Sequence, residues 1–167
     1  PPEKMRTVRW RKIAMIFQAA MNALNPVQRV GDQVAEAILV HNPDMDKDKA
    51  MGQVEELFDL VGIDADRMRD YPHQYSGGMK QRAIIAMALA CNPDLIIADE
   101  PTTALDVIVQ HQILEETKSL QQDLGISILF ISHDISIVAD VCHDIGVMYA
   151  GQLVECGSRE EVFGNPM

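Results

Sequence analysis

Three absences narrow the class of this chain before any motif is read. It lacks paired cysteines: Cys91, Cys142 and Cys156 are odd in number and scattered, and no Cys-x-x-Cys occurs. Neither a disulfide framework nor a zinc site is indicated, and unpaired thiols suit a reducing compartment. It lacks a long apolar run, since the longest, Ala83 to Cys91, is far too short to cross a bilayer. The opening Pro-Pro-Glu-Lys does not read as a signal peptide. It also lacks an excess of positive charge. The formal net charge of −11 argues against non-specific binding to nucleic acid or anionic lipid through a basic face. That charge says nothing about docking onto a membrane protein. The expectation is a soluble, cytosolic chain.

What is present suits a globular fold. A length of 167 residues fits one domain, or one and a small subdomain, and 47% hydrophobic content supplies a sizeable core. No internal repeat or low-complexity tract occurs. Ile13 to Phe17 reads as a buried strand ending at Gln18. Val30, Val34 and Ile38 mark one face of a helix stopped by His41-Asn42-Pro43. Val54, Leu57, Phe58 and Val61 give the stripe of an amphipathic helix closed by Gly62. Asp64 to Pro72 is polar and charged, and Met79 to Cys91 is helical. From Leu95 the pattern alternates: strand to Ala98, helix from Val109 to Leu124 with Gly125 as its stop, strand from Ser127 to Ile131, helix from Ile135 to Val141, strand from Ile145 to Tyr149. Such alternation predicts right-handed parallel crossovers, hence an α/β sheet covered on both faces. Leu153 to Cys156 fits a short strand after the Ala150-Gly151 turn, and Arg159 to Phe163 the start of a helix.

Several residues at element boundaries carry possible chemistry. Asp99 and Glu100 end a strand that holds no other charge, at the edge where open α/β sheets bind ligands. Adjacent side chains on extended backbone point to opposite faces, which predicts separate roles. Asp99 can hold Mg²⁺, and Glu100 can orient or deprotonate a water. Pro101 restricts the backbone of Glu100. The plain alternative is a solvated strand end. Ser76-Gly77-Gly78 precedes a helix, whose first N–H groups attract an anion; the alternative is a common turn with Ser76 as N-cap. His133 follows a strand and can bond a terminal phosphate, or it belongs to a turn that Asp134 caps. Gln18 can orient a water or touch Mg²⁺. Asp106 lies just past the carboxylates, where an N-cap of the next helix is the simpler role.

Taken together and in this order, these residues resemble the nucleotide-binding domain of an ABC (ATP-binding cassette) ATPase, over nearly the whole chain. Gln18 matches the Q-loop, Tyr75 to Met79 the signature motif, and Leu95 to Glu100 the Walker B strand with its catalytic glutamate. Ala104 to Asp106 match the D-loop and His133 the switch histidine. Asn22-Ala23-Leu24-Asn25-Pro26, Tyr71-Pro72-His73-Gln74, Met79 in place of the commoner Gln, and Val107-Ile108-Val109-Gln110 are similar to ATP-binding subunits of oligopeptide and dipeptide importers, a group with some nickel-transporting members. Ala19-Ala20 departs from the residues often seen after the Q-loop glutamine. Gly164-Asn165-Pro166-Met167 resembles the point where those subunits continue into a C-terminal extension.

The resemblance implies a P-loop NTPase-like (RecA-like) parallel sheet core, partial, at 1–29 and 93–167, with an inserted α-helical subdomain at 30–92 that bears the signature. It implies ATP and Mg²⁺. Glu100, His133 and Gln18 are the implied catalytic residues. Ser76, Gly77, Gly78, Met79 and Asp106 would contact nucleotide, and Asp99 and Gln18 the metal. The implied partners are a second nucleotide-binding subunit and transmembrane permease subunits, with no nucleic acid, and the implied location is the cytoplasmic face of the cell membrane. Two alternatives are a non-transport ABC ATPase and an inert module that pairs with an intact subunit. None of the ten glycines is followed by Lys, so the Gly-x-x-x-x-Gly-Lys-Ser/Thr loop that cradles phosphates is not in these residues. The expectation is a subunit without its N-terminal part, which alone binds ATP weakly and hydrolyses none.

Overall fold

Ile13-Ala14-Met15-Ile16 forms the first strand, β1, because its alternate residues Ala14 and Ile16 are buried while Ile13 and Met15 face outward. In the computed structural model of the protein, residues 5, 8–18, 22–103 and 105–164 are described. The elements that follow β1 are α1 (Val30–His41), α2 (Lys47–Leu60), two short 3-10 turns (Ala65–Arg69 and Pro72–Gln74), α3 (Gly77–Leu89), β2 (Leu95–Asp99), α4 (Val107–Leu124), β3 (Ser127–Ile131), α5 (Ile135–Val141), β4 (Asp144–Tyr149), β5 (Gln152–Ser158) and α6 (Arg159–Gly164). They divide into two compact units, residues 1–131 and 132–167.

In the first unit three strands run parallel in the order β1-β2-β3, with Ile16 beside Ala98 and Asp99 beside Ile131. The architecture is α/β. The expectation of a sheet covered on both faces holds for one face: Ala14, Ile16, Ile96 and Ala98 are buried, whereas Ile13, Met15, Leu129 and Ile131 stay 38 to 52% exposed. The predicted stripes of α1 and α2 form the helical part of the core, with Val30, Val34, Ile38, Val54 and Phe58 fully buried. Helix α3 packs against α1, α2, β1 and α4. That explains why Ala83, Ile84, Ile85, Ala86, Ala88 and Leu89 leave it no polar face over its second half.

Helix starts are set by local chemistry. Asp46, Ser76 and Asp106 each accept a bond from the backbone N–H three residues on. The caps at Ser76 and Asp106 start α3 and α4 two residues earlier than the apolar pattern alone suggests. Helix α1 has no side-chain cap; its first N–H, that of Val30, donates instead to the Asp70 carbonyl at 2.9 Å.

In the second unit the prediction for Ile145 to Tyr149 needs correction. This strand does not extend the parallel sheet among the described residues. It pairs antiparallel with β5 across the Ala150-Gly151 turn, with Tyr149 opposite Gln152. Both turn residues have positive φ, 50° and 78°, the geometry that folds a two-residue hairpin back on itself. The hairpin closes locally before any crossover pairing is needed.

Candidate functional site

The carboxyl edge of the parallel sheet gathers three of the predicted residues. Asp99 is the last residue of β2, Glu100 follows it, and Gln18 lies just past the end of the neighbouring β1. Asp99 is half-buried, and among the described residues its carboxylate has no hydrogen bond or ion pair; the same holds for the exposed Gln18 carboxamide. A carboxylate and a carboxamide oxygen are hard donors of the kind Mg²⁺ takes, alongside waters and phosphate oxygens.

Glu100 is held differently from the expectation. Its backbone is left-handed, φ 49°, so the alternation argument applied to extended chain does not reach it. Its N–H donates to the Ile131 carbonyl of β3 at 2.9 Å, and its carbonyl accepts from the Thr103 N–H at 3.2 Å. The Thr103 hydroxyl donates to the Glu100 carboxylate at 3.0 Å. A tight turn over 100–103 thus fixes the side chain, at the cost of a backbone conformation that non-glycine residues rarely adopt.

The glycine turn lies at the start of α3. Ser76 Oγ accepts from Met79 N–H at 3.2 Å, so the N-cap alternative describes what that oxygen does within the chain. Its own hydroxyl proton remains to be donated outward. Gly78 is small for a reason in the fold: a Cβ there would stand 2.8 Å from Val109 Cγ1, in the first turn of α4. This close approach brings Ser76, Gly77, Gly78 and Met79 beside the segment that Asp106 caps. Asp106 is exposed and its carboxylate bonds the Val109 N–H at 3.0 Å.

The turn is also held from upstream. Arg67 donates to the Gln74 carbonyl at 3.0 Å, lies 5.8 Å above the Tyr75 ring, and accepts the Tyr75 hydroxyl at its own carbonyl at 2.9 Å. Tyr75 is buried, and burial, with Asp70 adding to it, pushes its pKa up to about 12 against a smaller opposing effect of Arg67. The phenol therefore stays a donor at neutral pH. Beyond the turn, Arg82 of α3 ties the end of α2 to α4, donating to the Val61 carbonyl at 2.7 Å and pairing with Glu116 at 2.5 Å. Neither arginine was singled out from the sequence. Arg82 meets a carbonyl and a side chain that are 21 and 34 residues away, which leave no periodic trace; for Arg67 the local signals are Asp70 three residues on and an aromatic residue just before Ser-Gly-Gly.

His133 belongs to the second unit. It is exposed, one residue before Asp134, which caps α5 through the N–H groups of Ser136 and Ile137 at 2.9 and 3.4 Å. Ala104, within the predicted Ala104–Asp106 loop, lies outside the described residues, as do Ala19, Ala20 and the last three residues. An apolar hollow in the first unit, between the sheet and helices α3 and α4, is lined by residues such as Ile85, Leu89, Ile113 and Phe130. It offers almost no polar surface and is not a phosphate site. No helix among the described residues is long and apolar enough to cross a membrane.

Known proteins resemble the chain in sequence and fold. The dipeptide transport ATP-binding protein DppD of Lactococcus lactis subsp. cremoris is 51% identical over 98% of this chain and 48% of its own length. The oligopeptide transport ATP-binding protein OppD of Bacillus subtilis is 50% identical over 98% of this chain and 46% of its own length. The chain thus spans about half the length of the curated relatives it matches. The ATP-binding cassette MJ0796, solved as a dimer in a post-hydrolysis state bound to ADP and Pi, superposes with a TM-score of 0.80 at 26% identity, covering 95% of this chain and 68% of that one. The family model described as ABC transporter matches residues 2–103, more than half of the sequence. The chain belongs to the ABC transporter family.

Proposed function

We propose that this chain is the part of an ABC importer's ATP-binding subunit that carries the Q-loop, signature, Walker B and switch residues, and that the importer takes up peptides. The observation that carries the reading is the carboxyl edge of the sheet: Asp99 without a partner among the described residues, Glu100 fixed beside it, and Gln18 past the adjacent strand. Identity of about 50% to proteins named for dipeptide and oligopeptide transport supports the substrate class. In this reading Asp99 and Gln18 hold Mg²⁺, which when bound neutralises charge on the transferring phosphate. Glu100 orients the attacking water and accepts its proton. His133 bonds the terminal phosphate. Ser76, Gly77, Gly78, Met79 and Asp106 face a nucleotide held by a second nucleotide-binding subunit. Residues 1–29 and 93–167 are part of the ATPase core, and 30–92 form the helical subdomain that meets permease subunits at the cytoplasmic face of the membrane.

The test uses a subunit of the relatives' length carrying this sequence. Glu100→Gln should lower ATP turnover about 10²- to 10⁴-fold, the usual worth of a general base, while ATP-bound dimers persist in size-exclusion chromatography. Turnover at the unmodified rate would sink the assignment.

A further inference from the structure

Residues 67 to 75 form a knot whose outlet is the Ser76–Gly78 turn. Arg67 ties this segment together through several contacts. Its Nη2 donates to the Gln74 carbonyl at 3.0 Å, its guanidinium lies 5.8 Å above the Tyr75 ring centre, and its carbonyl accepts the Tyr75 hydroxyl at 2.9 Å. Its Nε stands 3.0 Å from the Asp70 carboxylate, close as an ion pair though not aligned as a hydrogen bond. The Asp70 carbonyl in turn accepts the first N–H of α1. Gln74 closes the loop from inside: its side-chain oxygen accepts from Tyr71 N–H at 2.9 Å, and its own N–H donates to the Tyr71 carbonyl at 2.9 Å.

The Arg67–Asp70 ion pair is half-buried, and its Nε is not aligned as a hydrogen bond, so it is not what distinguishes this arrangement. The arrangement uses what only arginine provides, a planar fork that bonds a carbonyl while its face lies over an aromatic ring. The residues it holds, Gln74 and Tyr75, are the two before Ser76. On the other side Gly78 is seated against Val109 with no room for a Cβ. The turn is therefore clamped at both ends, and Arg67 is the upstream clamp.

We infer that Arg67 is a positioning residue for the Ser76–Gly78 turn, setting where the Ser76 hydroxyl and the first-turn N–H groups of α3 stand when they meet a nucleotide across a subunit interface. The inference rests on the nucleotide reading proposed above. Lysine at this position keeps the charge but cannot bond Gln74 and cover Tyr75 together.

The experiment uses a subunit of the relatives' length carrying Glu100→Gln, titrated with ATP and followed by dimer formation. Adding Arg67→Lys should raise the ATP concentration at half-maximal dimer about tenfold, and Tyr75→Phe about threefold, with the saturating dimer fraction unchanged. A residue that only holds the fold would lower the saturating fraction and the melting temperature and leave the midpoint alone; that result, or no change at all, overturns the inference. A second measurement does not depend on nucleotide. The amide protons of Met79 and Lys80 bond the Ser76 side chain and carbonyl at 3.2 and 3.0 Å. Their exchange should quicken in Arg67→Lys while that of Ala86 and Met87 holds. Unchanged exchange overturns the inference. Faster exchange in a protein whose Arg67 parent never dimerises with ATP leaves the clamp standing and removes the nucleotide reading instead.

Discussion

The glycine turn at α3 and the carboxylate edge at β2 belong to the same unit and are built on opposite principles. The turn is supported from all sides: Arg67 and Tyr75 upstream, the Ser76 cap within, Val109 against Gly78. The edge keeps two side chains, Asp99 and Gln18, without partners among the described residues, and sets the third on strained backbone at φ 49°. A surface that must meet a ligand as a rigid shape is best held by its own chain. A surface that must bind a cation and handle a proton needs groups whose bonding capacity has not been spent. Stability and chemistry should therefore respond differently to mutation at the two places.

The sharpest way to break the contrast is to crowd the turn. Gly78→Ala gains helix propensity worth roughly 0.5–1 kcal/mol. Against that, its Cβ would stand 2.8 Å from Val109 Cγ1 on a stiff, β-branched side chain. Overpacking of this kind costs about 1–3 kcal/mol, so the collision wins. Denaturant melts should show a net loss; equal or greater stability would mean that the seat against α4 is not tight.

The caps come next. Asp106→Ala removes the carboxylate that satisfies the Val109 N–H and should cost about 1 kcal/mol, and Ser76→Ala a similar amount, whereas Ser76→Gly should cost only a few tenths. Equal losses for Ser76→Ala and Ser76→Gly would show that the serine hydroxyl is not what starts α3.

At the edge the sign should reverse. Glu100→Gly relieves a left-handed backbone that glycine adopts without strain. The expected outcome is a gain of about 0.5–1 kcal/mol in stability together with loss of ATP turnover in the longer subunit. A destabilised Glu100→Gly would place the strain elsewhere and weaken the contrast.

Much of this contrast follows from which parts of the structure are local. The stripes Val30-Val34-Ile38 and Val54-Leu57-Phe58-Val61 announce α1 and α2 because a helix repeats within one turn. The caps at Ser76, Asp106 and Asp134 are legible for the same reason, their partners being two or three residues away. The candidate site is legible as an order of residue types at strand and helix boundaries. What does not show is anything decided at a distance. The Val30 N–H finds a carbonyl forty residues on, at Asp70. Arg67 sits in a stretch that reads only as polar. The left-handed Glu100 depends on a bond to Ile131 of another strand, and β4 takes the nearer partner β5, although alternation of strand and helix argues for the parallel sheet.

The upstream clamp is also tested through pH alone. Tyr75 holds its proton in the folded state to about pH 12, against an ordinary value of 10.0, chiefly because burial disfavours the phenolate, with the Asp70 carboxylate adding to it. Below the ordinary value both folded and unfolded chains keep the proton, and the tyrosine's contribution to stability is fully present. Between the two values the unfolded chain loses the proton first, so stability falls as pH rises and the contribution is gone above the folded value. In a spectrophotometric titration of the native protein Tyr75 should ionise only as the pH nears about 12, and Tyr75→Phe should delete that phase. If the phase near pH 12 survives the substitution, it does not belong to Tyr75, and the ring is not buried against the turn in the way that sets the turn apart from the edge.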